Sequence, residues 1–293
     1  MTTPIRVFAF GPSATDLVGA LSHVPVIDVS GQHEGTSSQP ASDCPLAPFV
    51  SGHAPTPASL AWGVEVKATR PDIIVADVAC ATCLASETHK YWPSPLRTIA
   101  IGRPPLAECL TLLTTFGAAL GIEELVAPEY RRRSARLLAL RMHVARYLVR
   151  TPGARRPTAL ALTNDGDEWR VHDDRRLGEL IDAAGGVRAP IPVGAVASLG
   201  DIALAHPDVI FAGRAGSGTA DPLVARQVDT LGAMAPAVWH ADWDTLLNSS
   251  GPSIVDAVEA TLRATIPQAL GANGTPPAGD VLRRVITQMT ATS

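Results

Sequence analysis

Arg70-Pro71-Asp72-Ile73-Ile74-Val75-Ala76-Asp77 returns later in the chain as His206-Pro207-Asp208-Val209-Ile210-Phe211-Ala212-Gly213. Each copy opens on Pro-Asp, a turn-forming pair, and continues into an apolar run with no polar alternation. This is the pattern of a short parallel strand covered on both faces. A second pair repeats the theme. Ile5-Arg6-Val7-Phe8-Ala9-Phe10 runs into Gly11-Pro12, and Pro157-Thr158-Ala159-Leu160-Ala161-Leu162 runs into Thr163-Asn164-Asp165. In both, polar turn residues and a helix-like stretch follow the strand, ending near Leu21 and near Ala184. The repetition predicts two similar α/β lobes.

Between the repeats, Glu129 to Val149 contains neither Gly nor Pro, and Tyr130, Leu137, Leu140, Val144 and Leu148 recur at near-helical spacing. Pro128 suits a first helical turn, and Thr151-Pro152-Gly153 ends the element. The spacing predicts a linking helix roughly 30 Å long, its arginines on a solvated outer face. The expected organisation is an N-terminal α/β lobe over 1–127, the linking helix over 128–150, a C-terminal α/β lobe over 151–270, and a flexible linker and tail over 271–293. Further strands are expected over 24–29, 96–101 and 237–241, and a long irregular segment over 31–58. The last residues are expected either to form a short docking helix or to fray.

The bulk numbers agree with this layout. With 293 residues, 46% hydrophobic and 18% charged, the chain buries a sizeable core and is neither disordered nor a small disulfide scaffold. A net charge of -4, with basic clusters only at Arg131-Arg132-Arg133 and Arg155-Arg156, excludes a nucleic-acid footprint. No apolar run approaches the roughly 20 residues of a membrane helix, so no membrane insertion is expected. Cys44, Cys80, Cys83 and Cys109 are scattered over a long chain, as reduced thiols are. Met1 leads directly into a strand-like run without the pattern of a signal peptide. Taken as the native start, it predicts a cytoplasmic protein; a removed signal peptide would make it periplasmic or extracellular.

Taken in order, Arg6 to Asp16, Arg70 to Ile74 running into Cys80-Ala81-Thr82-Cys83, Ala183-Ala184-Gly185-Gly186, Pro207 to Ile210, Ala241-Asp242-Trp243 and Gly251 to Ala257 resemble one family. The family is the helical-backbone, class III periplasmic substrate-binding proteins, in particular the cobalamin (vitamin B12)- and iron-chelate-binding group. The resemblance covers residues 4 to 268. It implies two Rossmann-like lobes with mainly parallel sheets, one long backbone helix between them, and a ligand in the interlobe cleft. The chain departs from the cobalamin-binding subgroup at two places. His33-Glu34-Gly35-Thr36 is displaced from that subgroup's His-Glu-Cys-Asp stretch and lacks its Cys and Asp. Arg170-Val171-His172-Asp173-Asp174 stands where that subgroup has Gly-His-Trp.

Open α/β sheets bind ligands beyond the carboxyl ends of their strands. Those ends bring forward Pro12, Ser13, Ala14 and Thr15 after the first strand, and Cys80, Thr82 and Cys83 after the Pro-Asp strand. In the second lobe they bring forward Trp169, His172, Arg214, His240 and Trp243. Ser13 to Asp16 has the S-x-x-D form of a capping box, and the backbone amides of this helix start also suit an anionic ligand group. Trp169 and Trp243 offer indoles to a flat macrocycle or to the core. His172 and His240 offer axial or chelating nitrogens.

Cys80 and Cys83 have the spacing of a metal clamp, completed by residues such as His33, of a redox pair, or of a small-residue turn lining a pocket. The resemblance also implies an ABC permease as partner, docked through one exposed carboxylate per lobe; Glu87 and Asp244 are the candidates. The expected function is binding of a small-molecule ligand, a cobalamin-like, tetrapyrrole (haem) or other metal chelate. The alternative is a cytoplasmic enzyme or metal-handling protein on the same fold, using Cys80, Cys83 and nearby His residues. No nucleophile elbow or phosphate loop supports catalysis directly.

Overall fold

The computed structural model describes residues 4–33, 68–77, 97–102, 104–165, 168–172, 174–214, 231–241, 251–270 and 282–285. The chain divides into two compact units: Met1–Ser134 with Asn248–Ile254, and Ala135–Leu247 with Val255–Ser293. The Pro-Asp echo has the same physical form in each.

In unit 1, Arg70 takes a positive φ of 46° and precedes the buried Pro71. Asp72 then pairs with Arg6 through both its backbone and its carboxylate. Its N–H donates to the Arg6 carbonyl at 2.8 Å, and its Oδ2 accepts from the Arg6 N–H at 2.8 Å. In unit 2, His206 has a φ of 44°, the Asp208 N–H donates to the Thr158 carbonyl at 2.8 Å, and the Asp208 Oδ2 accepts from the Thr158 N–H at 2.7 Å. Each aspartate sets the register of its strand against the strand beside it.

Unit 1 is built from β1 (Ile5–Phe10), α1 (Pro12–Ala20), β2 (Ile27–His33), β3 (Ile73–Asp77), β4 (Arg97–Ile101), α2 (Thr111–Leu120) and the first part of α3 (Glu123–Arg150). Its four strands are parallel in the order β2-β1-β3-β4. The continuous apolar runs of β1 and β3 fill the core with Val7, Ala9, Ile73 and Val75, against Leu17 of α1, Leu21 just past its end and Phe116 of α2. β2 begins later than expected, because Val24 to Val26 close a turn in which the Ile27 N–H donates to the Val24 carbonyl at 2.9 Å.

α3 begins earlier than expected, and Pro128 lies inside it rather than in its first turn. The cause is the end of α2. Gly121, at a φ of 69°, turns the chain while the Ile122 N–H donates to the Gly117 carbonyl at 2.9 Å and the Gly121 N–H to the Ala118 carbonyl at 3.2 Å. This double closure leaves α3 to start at once. Val126, fully buried against Gly117, holds that first turn in place. By helical geometry, the proline forfeits only a bond to the carbonyl of the exposed Glu124.

Unit 2 contains the rest of α3, then β5 (Thr158–Asp165), β6 (Glu168–Val171), α4 (Arg175–Ala183), β7 (Val187–Arg188), α5 (Leu199–Ala205), β8 (Val209–Arg214), β9 (Ala237–Ala241), α6 (Ile254–Thr265, whose first residue belongs to unit 1) and β10 (Leu282–Val285). The sheet order is β10-β9-β8-β5-β6, with β7 also paired to β5. β5, β7, β8 and β9 run parallel, whereas β6 and β10 are antiparallel to their neighbours. Two of these strands correct the expectations. Residues 168–171 form a hairpin with β5 instead of leading straight into a helix. Residues 282–285, expected to dock as a helix or fray, add a strand to the edge of β9.

Candidate ligand-binding site

In unit 1 the strand order reverses beside β1, with β2 on one flank and β3 on the other, so the carboxyl ends of three strands lie together. Register places His33 beside Phe10, and Phe10 beside Ala76. One residue further, Gly11 meets Asp77. Gly11 has a φ of 96°, and a β-carbon on it would lie 2.7 Å from Asp77 Cγ. This close approach brings the Asp77 carboxylate over the start of α1, where it accepts from the Ala14 N–H at 3.0 Å and from the Ser13 N–H at 3.4 Å. The positive end of the helix is thereby met by an internal anion. The amides read from sequence as a seat for an anionic ligand group hold this side chain.

The capping box expected at Ser13 and Asp16 does not form, because Gly11 is the N-cap and Ser13 already lies within the helix. Ser13 is fully buried, and neither its Oγ nor the buried Oγ1 of Thr15 has a hydrogen-bond partner among the described residues. Ala14 is fully buried in the unit 1 core.

Asp16 turns to a segment that sequence reading did not connect with it. Its Oδ2 accepts from the Gly251 N–H at 2.9 Å and from the Ser253 hydroxyl at 2.8 Å, and both its oxygens lie 3.3 Å from the Ser253 nitrogen. Gly251 leaves the room this needs, since a β-carbon there would approach Asp16 Oδ2 to 2.9 Å. Arg133 reaches the same segment, donating to the Pro252 carbonyl at 2.7 Å, and it also donates to the buried Glu129 at 2.5 Å. Burial pushes the Asp16 carboxyl above its usual value, opposed by the Ser253 and Gly251 hydrogen bonds and by Arg133. Glu129 goes the other way: the Arg132 hydrogen bond, with Arg133 beside it, holds its carboxyl down at about 2 against the cost of burial.

In unit 2, β5 and β8 end beside each other, with Asn164 paired in register to Arg214, and His240 of β9 paired to Ala212. Asn164 is buried among these strand ends. His172 follows β6 and lies further back along β5, where its N–H donates to the Ala161 carbonyl at 2.9 Å and its Nδ1 shares a hydrogen bond with Thr163 Oγ1. Thr163 therefore orients the imidazole. Of the two places read for the Trp169 indole, a ligand or the core, the described residues show its core packing. Glu168, Trp169, Arg170 and Val171 alternate exposed and buried, and Trp169 faces Leu160, Leu162 and Ile202 in the unit 2 core at 8% exposure.

Cys80, Thr82, Cys83, Glu87, Trp243 and Asp244 lie outside the described residues, as do the side chains of Pro12, His33, Arg214 and His240. Among the described residues, no group of three or more His, Cys, Asp or Glu side chains is arranged to hold a metal ion. Cys109 is a buried thiol whose Sγ lies 3.5 Å from the Pro105 carbonyl. No helix among the described residues is long and apolar enough to cross a membrane.

Two α/β units with mainly parallel sheets, and one 28-residue helix running from the first into the second, define the fold of the helical-backbone, class III substrate-binding proteins. Solved structures carry this likeness over nearly the whole chain. The periplasmic haem-binding protein BhuT, in complex with two haems, matches with a TM-score of 0.62 at 20% identity, over 90% of this chain and 98% of its own. A periplasmic haem-binding protein from Pseudomonas aeruginosa matches with a TM-score of 0.59 at 17% identity, over 96% and 98%. The siderophore-binding protein BauB, bound to two acinetobactin molecules and ferric iron, matches with a TM-score of 0.55 at 14% identity, over 89% and 94%. No protein-family model matches the sequence, and no curated protein matches it at a significant level.

Proposed function

We propose that this chain is a substrate-binding protein for a metal-chelate ligand: a tetrapyrrole such as haem, a cobalamin-like corrinoid, or a siderophore-bound ferric ion. The carrying observation is the fold shared over about nine-tenths of the chain with a periplasmic protein in complex with two haems, a periplasmic haem-binding protein and a protein bound to a ferric siderophore. The strand ends support the same reading. In unit 1 they bring together His33, the start of α1 and Asp77; in unit 2 they bring together Asn164 and Arg214. Open α/β sheets bind ligands at such ends. Because fold alone does not set function, the test is direct: titration of the purified protein with hemin, cobalamin and a ferric siderophore. A saturable spectral or calorimetric signal with one of them is expected, and no saturable binding to any of the three overturns the reading.

The same proposal places the protein outside the cytoplasm, in the periplasm or at the cell surface, delivering its ligand to an ABC permease. Glu87 and Asp244 are the proposed docking carboxylates. Glu87→Arg and Asp244→Arg are expected to weaken stimulation of the permease ATPase while leaving ligand affinity unchanged; unchanged stimulation removes them from the interface. The enzyme alternative rests on Cys80 and Cys83, which lie outside the described residues.

A further inference from the structure

The outward face of α3 within unit 2 is apolar and basic where a helix packed on a core is ordinarily polar and mixed in sign. Leu138, Met142 and Val149 are 59%, 53% and 85% exposed. At about 100° per residue they share an arc of roughly 40°, opposite the buried Leu137, Leu140 and Val144. Arg141 flanks this arc on one side, and Arg146 and Arg150 flank it on the other. All three arginines are exposed, and none has a carboxylate partner among the described residues. Their neighbour Arg136 differs, being paired with Asp256 and Glu259. From Tyr130 to Arg150 the helix carries seven arginines and no acidic residue, in a chain of net charge -4. Of these, Arg132 and Arg133 pair with Glu129 and Arg136 with Asp256 and Glu259, so the charge without a carboxylate partner among the described residues lies on Arg131 and on Arg141, Arg146 and Arg150.

We infer that this face of α3 docks peripherally on an anionic lipid surface, with Leu138, Met142 and Val149 entering the headgroup layer and Arg141, Arg146 and Arg150 paired with lipid phosphates. The argument is one of complementarity. Unpaired arginines on both flanks of protruding apolar side chains suit an interface that is anionic outside and apolar just beneath. The face is also convex and runs about 18 Å from Leu138 to Arg150. A bilayer surface accepts such a ridge without a matching groove, whereas an acidic protein partner would have to supply one. Guanidinium groups reach outward while their stems lie along apolar neighbours.

The test is co-sedimentation of the full chain with phosphatidylcholine vesicles, with and without phosphatidylglycerol. Binding only to the anionic vesicles, weakened by added salt, is expected. The triple substitution Arg141→Ala, Arg146→Ala, Arg150→Ala is expected to lower the partition constant about a hundredfold, at about fivefold per arginine. Leu138→Ser with Met142→Ser is expected to weaken binding severalfold at unchanged charge. Circular dichroism of these exposed-site variants checks that the fold is intact. Equal affinity for neutral and anionic vesicles, equal binding by the triple variant, or binding to poly-glutamate but not to anionic vesicles would each overturn the inference.

Discussion

The Asp16 carboxylate accepts a 2.9 Å hydrogen bond from the backbone N–H of Gly251, 235 residues further along the chain. With the Ser253 amide and hydroxyl it ties the return segment 251–253 to α1 within unit 1. Asp16→Ala leaves these buried donors without their acceptor and is expected to cost about 2–4 kcal/mol of unfolding free energy, read by chemical denaturation. Asp16→Asn keeps one acceptor oxygen and is expected to cost less. The Asp16 carboxyl is raised in the folded state, so that state binds the proton more readily than the unfolded chain. The contribution of this group is therefore greatest below its unfolded value of about 3.9 and declines as pH rises through the folded value.

Glu129 has the opposite sign. Its carboxyl lies at about 2 in the folded state against 4.5 unperturbed, so it contributes stability above 4.5 that is lost as pH falls toward 2. Arg132 is 69% exposed, and with that screening the contribution is on the order of 2 kcal/mol. Glu129→Gln is expected to flatten this part of the stability profile, measured as the denaturant midpoint across the acid range. A profile unchanged by the substitution would contradict the assignment.

At Gly11, Ala meets both a φ of 96° and the Asp77 carboxylate. Gly11→Ala is expected to destabilise the protein by about 2–4 kcal/mol, combining backbone strain with the close contact. Adding Asp77→Ala relieves the contact but not the strain, so the double variant is expected to lose less than the sum of the two singles. Additivity would mean that the two residues do not press on each other.

Trp169 and Ser13 separate core from ligand roles. Trp169→Ala is expected to cost about 3–5 kcal/mol through the cavity it leaves, whereas Trp169→Phe retains most of the stability and all of the ligand affinity. Ser13→Ala removes a buried hydroxyl that has no partner among the described residues, so the ligand-free protein is expected to be unchanged or more stable by about 1 kcal/mol. If the hydroxyl meets the chelate, affinity falls about tenfold in the same variant; calorimetric titration beside thermal unfolding reads both effects.

The strands that repeat were legible because a strand covered on both faces has to be apolar throughout, and Ile73 to Ala76 and Val209 to Ala212 are apolar by residue type alone. The linking helix was legible for a similar reason: Leu137, Leu140 and Val144 keep its buried stripe, as the structure confirms. Its start was not, since that depends on how Gly121 closes α2 and on Val126 packing against Gly117. The β6 hairpin was missed because four residues carry too little periodicity to announce a strand. The side on which Trp169 falls follows only from its pairing with Asn164. The site divides in the same way. Sequence by itself determined which residues follow each strand, because strand order along the chain places them there. Only the tertiary structure decided that Asp77 fills the start of α1 and that Asp16 holds Gly251 and Ser253. Those contacts depend on the register of parallel strands and on chain closure across 235 residues, and neither leaves a local trace in the residues that make them.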